Sequence, residues 1–352
     1  MEKRLIGELK SSPVIKRCPA NPILTAANVP APASLIFNAG IVKYQGRYVM
    51  LFRNDCFHPE TRAFQCIRLG MAYSKDGIAW EVQKNLQAIE KPLMEAAARH
   101  YLYRDVSKEL LRAYDPRLTV IDGRVIICFA LDTLHGLRGG IATTEDFEHF
   151  DVTCLTTPDN RNMVVFPERV GGKYIRLERP MPVYSHGRDK FDIWLSSSSD
   201  LRSWGEPALV LGMEEVPFAN DKLGPAAPPV RTSKGWLTTF HAVDRDDLRG
   251  KNGWEAKWQK RYTAGIMLLD LNDPRKVIGF HKEPLLAPEA PYEIADGYRN
   301  HVIFPGGMIL EDNGEVKIYY GAADTVECLA TAHVDDLLDL CLNKSQRSHE
   351  RS

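Results

Sequence analysis

Short apolar runs alternate with polar turns along most of the chain. RYVMLFR, VIICFAL, KYIRLER, GWLTTFHAV and VKIYYGA carry β-branched or aromatic residues and are bounded by Gly, Pro or Asp, as strands between turns are. A second apolar run follows each of them: LGMAYSKDGIAW, GGIATTEDFEHF, FDIWLSSSSDLRSW, TAGIMLLDLNDPRKV and ECLATAHVDDLLDL. These share small or apolar residues, then Ser, Thr or Asn, then Asp, then a bulky side chain. The Asp positions are Asp76, Asp146, Asp200, Asp273 and Asp335, spaced by 70, 54, 73 and 62 residues, roughly 65 on average. That period suits four strands and their loops.

Five such units predict an all-β fold, a five-bladed β-propeller with a short helical insertion. A β-sandwich is the competing reading, because Asp is common in the turns of any β protein. Radial repetition also disposes of long exposed sheet edges. Two stretches break the pattern. Residues 84–112 are rich in Ala, Leu, Glu and Arg, and with Ser107 as an N-cap they predict helix. Residues 244–262 form a charged segment carrying Trp254 and Trp258. Both read as insertions between blades, on a face where loops build a pocket. Residues 1–341 are expected to form a single propeller domain and 342–352 a disordered tail.

Composition narrows the partners. Lys and Arg number 45 against 46 Asp and Glu, which argues against a nucleic-acid groove or an anionic membrane surface. No apolar run approaches the roughly 20 residues of a membrane span, and MEKRLIGELK lacks the apolar stretch of a secretory signal. Seven cysteines without a CxxC pair argue against a disulfide framework or structural zinc, so the expected location is the reducing cytoplasm.

In a propeller the innermost strands converge on a central funnel, so polar residues distant in sequence meet there. The candidate innermost strands are FNAGIV, YDPRLTV, RNMVVFPE, GPAAPPV and HVIFPGG. Their ends and those of the next strands offer Asn38, Arg53, Asp115, Arg161, Arg179, His241 and Asp324. Asp115 suits a general acid if desolvation raises its pKa; the alternative is a turn residue before Pro116. Arg161 and Arg179 with His241 make an anion site, or else ordinary salt bridges. Asp324 is an acceptor for sugar hydroxyls or a loop Asp. There is no Gly-rich phosphate loop, no HExxH and no GxSxG, so nucleotide, metal and acyl-transfer chemistry lack support.

These strand-end residues lie in segments with a familiar order. They are NPIL at 21–24, IFNAGIV at 36–42, LFRND at 51–55, YSKDGIAWE at 73–81, YDPRL at 114–118 and NRNMVVFPE at 160–168. The series continues with GKYIRLERP at 172–180, KLGPAAPPVRTSKGWLTTFHAV at 222–243, LLDLNDPRKV at 268–277, VIFPGG at 302–307 and IYYGAADT at 318–325. Over nearly its whole length the chain resembles the β-mannoside phosphorylases of glycoside hydrolase family 130. The resemblance implies a five-bladed propeller and inverting phosphorolysis of β-mannobiose, β-mannosyl-glucose or short manno-oligosaccharides to α-mannose 1-phosphate. It implies Asp115 as the general acid, with its proton relayed through the mannose 3-hydroxyl. It implies Arg161, Arg179 and His241 as phosphate ligands, and Asn38, Arg53 and Asp324 as ligands of the mannosyl unit. His186, in the loop after ERP, is a further substrate contact by the same resemblance. Ala39 stands where many relatives have Ser, so a hydroxyl contact is expected to be lost. Inorganic phosphate is the co-substrate, no other cofactor is expected, and the helical insertion offers a contact for a homo-oligomer. Two rivals remain at this stage. An inverting hydrolase would need a second carboxylate, for which Glu168 is the nearest candidate. A non-catalytic sugar-binding propeller would use Trp254, Trp258 or Tyr103 as a platform.

Overall fold

A computed structural model describes residues 5–30, 32–85, 88–100, 104–182, 189–249 and 258–342. The strands form five antiparallel sheets, each begun by one of the expected innermost strands. Blade I holds Leu35–Tyr44, Arg47–Phe57, Phe64–Ser74 and Glu81–Val82; blade II holds Leu110–Ile121, Arg124–Thr133, Gly136–Thr144 and Asp151–Leu155. Blade III holds Asn160–Val165, Tyr174–Pro180, Ile193–Ser198 and Gly205–Leu211. Blade IV holds Lys222–Pro225, Trp236–Arg245, Lys260–Leu269 and Val277–Phe280, with Val230–Arg231 resuming its inner edge. Blade V holds Ile303–Leu310, Glu315–Ala322 and Val326–His333, and its outer strand is Lys16–Arg17 from the start of the chain. The innermost strands pack side by side around one axis, which makes the fold a five-bladed β-propeller.

The repeat in the sequence has two physical sources. One is a polar turn after the third strand. Ser74 Oγ accepts from the Gly77 amide at 2.8 Å, and Asp76 Oδ1 accepts from the amides of Ile78 and Ala79 at 2.8 and 2.9 Å. Thr144 with Asp146 and Ser198 with Asp200 build the same turn. The other source is a cross-strand Phe–Gly pair. Phe52 faces Gly70, Phe129 faces Gly140 and Phe240 faces Gly265. A Cβ on any of these glycines would fall 2.2 Å from the opposing ring, so the ring lies flat over bare backbone.

Three expectations are corrected. The fourth turn is made by Asp270, which accepts from the amides of Asn272 and Asp273, while Asp273 itself pairs with Arg275. Asp335 makes no such turn; it lies in the first turn of the helix Val334–Leu342, which also takes Leu342 out of the expected tail. The fifth blade needs no fourth strand there, because the N-terminal segment supplies it. Among the described residues of 84–112, only Glu90–Arg99 is helical. Ser107 sits in a turn closed by Asp105, and LLRAY begins the innermost strand of blade II. Pairing with Arg124–Thr133 outweighs the weak helical preference of that run. The helix itself buries Leu93, Ala96 and Ala97 against blades I and II. Residues 343–352, Tyr103, Trp254 and His186 lie outside the described residues. No described helix is long and apolar enough to cross a membrane.

Ring closure rests on a short strand, so a buried anchor reinforces it. Glu293, wholly buried, accepts from Arg17 Nε at 2.8 Å, Arg17 Nη2 at 2.9 Å, Tyr320 Oη at 2.9 Å and the amides of Glu289 and Ala290. Removing the carboxylate strands these donors and a half-buried guanidinium. Glu293→Ala should therefore cost about 3–5 kcal/mol in urea unfolding. A loss below about 1 kcal/mol would mean that closure does not depend on this anchor.

Candidate active site

A left-handed residue interrupts the innermost strand of three successive blades: Asn38 at φ 56°, Asp115 at φ 51° and Asn162 at φ 58°. Asn and Asp tolerate this backbone better than other side chains. Each marks a β-bulge with one extra residue. Register slips between Phe37 and Gly40, between Tyr114 and Arg117, and between Arg161 and Val164. A bulge re-aims side chains next to it. Here it turns Asn38, Asp115, Arg161 and Asn162 into one pocket at the end of the channel, together with Arg53, Arg179, Lys222, Trp258, Tyr262, Arg299, Phe304 and Asp324.

The pocket has an acidic side and a basic side. On the acidic side Asp115 Oδ1 accepts from Asn38 Nδ2 at 3.1 Å and from Arg53 Nη1 at 3.3 Å. Arg53 is itself clamped by Asp55 through two 2.7 Å bonds. Asp324 accepts from Arg299 at 3.1 Å. Burial pushes the Asp115 carboxyl up, but Arg53, Arg117, the Asn38 hydrogen bond and Arg161 together outweigh it and hold the group below the usual carboxylate range. The sequence-based expectation that desolvation would raise it is thus reversed in the free protein. Asp324 goes the other way, since burial dominates over its neighbouring guanidinium groups.

On the basic side, cations outnumber partners. Arg161 and Arg179 face each other across blade III, and Arg179 Nη1 donates to His241 Nε2 at 3.2 Å. Arg161 Nε, Arg179 Nε and Nη2, and His241 Nδ1 are buried without a hydrogen-bond partner among the described residues. Burial, then the neighbouring charges of Arg179, Lys260 and Arg161, press Lys222 well below its usual value. Burial, then the neighbouring charges of Arg179, Lys222, Arg117 and Arg161, do so to His241. Unmatched donors beside massed positive charge fit an oxyanion. His241 stands behind Arg179 rather than on the pocket wall. Gly224 makes this arrangement possible: a Cβ there would lie 2.3 Å from His241 Cε1 and 3.2 Å from Arg179 Cδ.

The structure therefore brings together Asn38, Arg53, Asp115, Arg161, Arg179 and Asp324, with His241 one hydrogen bond away; His186 is outside the described residues. Sequence reasoning missed Asn162, Lys222, Tyr262 and Arg299. An Asn or Asp in mid-strand, where both are rare, is the signal that would have found Asn162. Ala39 does not line the pocket; it packs among Ile36, Ile41 and Leu24, so no hydroxyl is lost from the site. Glu168 lies at the opposite end of the innermost strands, partly exposed and paired with Arg231 at 2.6 Å, and cannot serve as a second carboxylate here. Trp258 stacks on Tyr262 and donates its indole N–H to Asn300 O at 3.1 Å.

The axial pocket thus sets unpaired cationic donors against two carboxylates. Residues 11–343 match the family profile described as beta-1,4-mannooligosaccharide phosphorylase, and the chain belongs to glycoside hydrolase family 130. It is 33% identical over 340 residues to the beta-1,4-mannooligosaccharide phosphorylase of Ruminococcus albus, covering 93% of this chain and 90% of that protein. It is 31% identical to the 1,2-beta-oligomannan phosphorylase of a Thermoanaerobacter species, covering 86% and 91%. Among solved structures, the beta-1,2-mannobiose phosphorylase from Listeria innocua in complex with beta-1,2-mannobiose superposes with a TM-score of 0.76 at 25% identity, covering 94% of this chain and 99% of that one.

Gly224→Ala should displace His241 or Arg179 and weaken inorganic phosphate binding at least tenfold, about 1.4 kcal/mol. Isothermal calorimetry with phosphate checks this, and unchanged affinity in a folded variant would remove the anion cradle from these residues.

Proposed function

We propose that the protein is an inverting β-mannoside phosphorylase, releasing α-mannose 1-phosphate from short β-mannosides with inorganic phosphate as co-substrate and no other cofactor. The observation that carries this reading is the set of unpaired buried donors on Arg161 and Arg179 across the pocket from Asp115, with His241 behind Arg179. A hydrolase would need a second carboxylate to activate water. A phosphorylase needs a place for an anion that is already a nucleophile.

In this reading Arg161 and Arg179 hold phosphate below the anomeric carbon, with Lys222 beside them and His241 fixing Arg179. Each fork can hold two phosphate oxygens, and positioned cations offset charge as the new bond forms. Asn38, Arg53 and Asp324 hold the mannosyl unit. Asp115 delivers the proton to the departing oxygen, through a sugar hydroxyl. β-1,4 and β-1,2 mannosides are both named for relatives, so both linkages belong in the assay. The cytoplasm is the proposed compartment, and self-association through the helix Glu90–Arg99 is the proposed assembly, checked by light scattering.

Incubation with β-1,4- and β-1,2-mannobiose should yield mannose 1-phosphate only when inorganic phosphate is present; free mannose without phosphate would overturn the reading in favour of hydrolysis. Asp115→Asn should lower kcat about 10²- to 10⁴-fold, whereas Arg161→Ala should chiefly raise KM for phosphate. A near-normal kcat in Asp115→Asn would end the acid assignment.

Asp115 is held below the usual carboxylate range, so it is ionised at neutral pH in the free protein and must gain a proton before it can donate one. Bound phosphate offsets Arg161 and raises the proton affinity of Asp115. Phosphate binding at about pH 4, where carboxyl groups titrate and phosphate is a monoanion, should thus take up protons, read as a heat that scales with buffer ionisation enthalpy and shrinks in Asp115→Asn. Zero uptake would mean that bound phosphate does not raise the proton affinity of Asp115.

A further inference from the structure

Arg117, two residues after Asp115, has no carboxylate partner within hydrogen-bonding distance among the described residues, although it is 2% exposed. Its donors go to backbone instead. Nε donates to Ala226 O at 2.7 Å, Nη1 to Pro116 O at 2.8 Å and Asn38 O at 3.4 Å, and Nη2 to Pro305 O at 3.2 Å. Those carbonyls belong to the inner edges of blades I, II, IV and V. Two of them, Asn38 O and Pro116 O, lie inside the bulges that carry Asn38 and Asp115. A bulge takes carbonyls out of the regular ladder, and a buried carbonyl needs a donor. The guanidinium also lies 5.2 Å from the centre of the Phe304 ring, which lines the pocket.

We propose that Arg117 is the positioning residue of the site, a guanidinium in the axial channel that ties four blades together by their carbonyls and so fixes the two bulges that make Asn38 and Asp115 meet. The inference rests on the proposed role of Asp115 but not on the identity of the substrate. Arg117 touches neither phosphate nor sugar in this arrangement; it acts through the strand geometry. Its charge acts on Asp115 as well. Asp115 is faced by Arg53 from blade I, Arg161 and Arg179 from blade III, Asp324 from blade V, and Arg117 and Tyr114 from its own strand. Arg117 is faced by Glu327 and Cys128. Burial pushes Glu327 up to about 8, so this neighbour is mostly protonated at neutral pH and leaves the Arg117 charge directed at Asp115. Lysine cannot replace the fork, because an ammonium has three donors at one point and cannot span four separated carbonyls.

The test compares wild type, Arg117→Lys and Arg117→Met, all full-length and checked for native circular dichroism. The protein carries ¹³C-carboxyl aspartate, and Asp115→Asn assigns the Asp115 signal. Removing a lowering influence raises a carboxyl midpoint. Arg117→Met should raise that of Asp115 by about one pH unit or more, and Arg117→Lys, which keeps charge but releases the bulges, by a smaller amount. Both should lower kcat for phosphorolysis at least tenfold with KM for phosphate within twofold. An unmoved midpoint in folded Arg117→Lys overturns the proposal, as does a kcat within twofold of wild type. If Arg117→Met does not fold, Arg117→Lys decides by the same readings. If wild type itself releases no mannose 1-phosphate, the proposed function fails, and the carboxyl midpoint alone still decides whether Arg117 positions Asp115.

Discussion

One buried guanidinium joins the innermost strands of four blades. The propeller needs those strands to converge, and the site needs them to kink where they converge. Kinks free carbonyls from the ladder in a place that water reaches poorly. Arg117 supplies donors to four of them at once, and the left-handed turns at Asn38 and Asp115 sit on that support. Asn38 and Asp115, which face the pocket from the innermost strands of blades I and II, are aimed by this local geometry.

The pocket divides its charge rather than balancing it. Asp115 and Asp324 are held by Arg53, Asn38 and Arg299, while Arg161, Arg179 and His241 crowd together beside Lys222 with donors unspent among the described residues. Burying like charges side by side is unfavourable unless something arrives to offset it. In the proposed function phosphate does so, and its arrival also weakens the grip of Arg161 on the proton balance of Asp115. That proposal links binding and proton delivery through one set of arginines. The supports of this arrangement are ordinary residues. Asp55 clamps Arg53, and Gly224 leaves space for His241 against Arg179.

The repeat was legible because turns obey local rules. Ser74 with Asp76, Thr144 with Asp146 and Ser198 with Asp200 each satisfy their own amides within three residues, so their pattern survives in the sequence. Asp273 was misread for Asp270 because two Asp residues lie three apart and only the register of Lys260–Leu269 chooses between them. LLRAY was misread as helix because its partner strand is remote from the local preference. Lys222 and Arg299 escaped notice because nothing local distinguishes a surface Lys or Arg from one aimed into a channel.

The sequence by itself determined the strand pattern, the number of blades and, by family resemblance, the residues Asn38, Arg53, Asp115, Arg161, Arg179, His241 and Asp324. Only the tertiary structure decided which of them share a pocket wall, which way the Asp115 carboxyl is shifted, and that Glu168 lies at the far end of the channel. The reason is physical. Turn and strand preferences act over a few residues, whereas charge, burial and the orphaned donors of a pocket arise from groups that only ring closure brings within reach of one another.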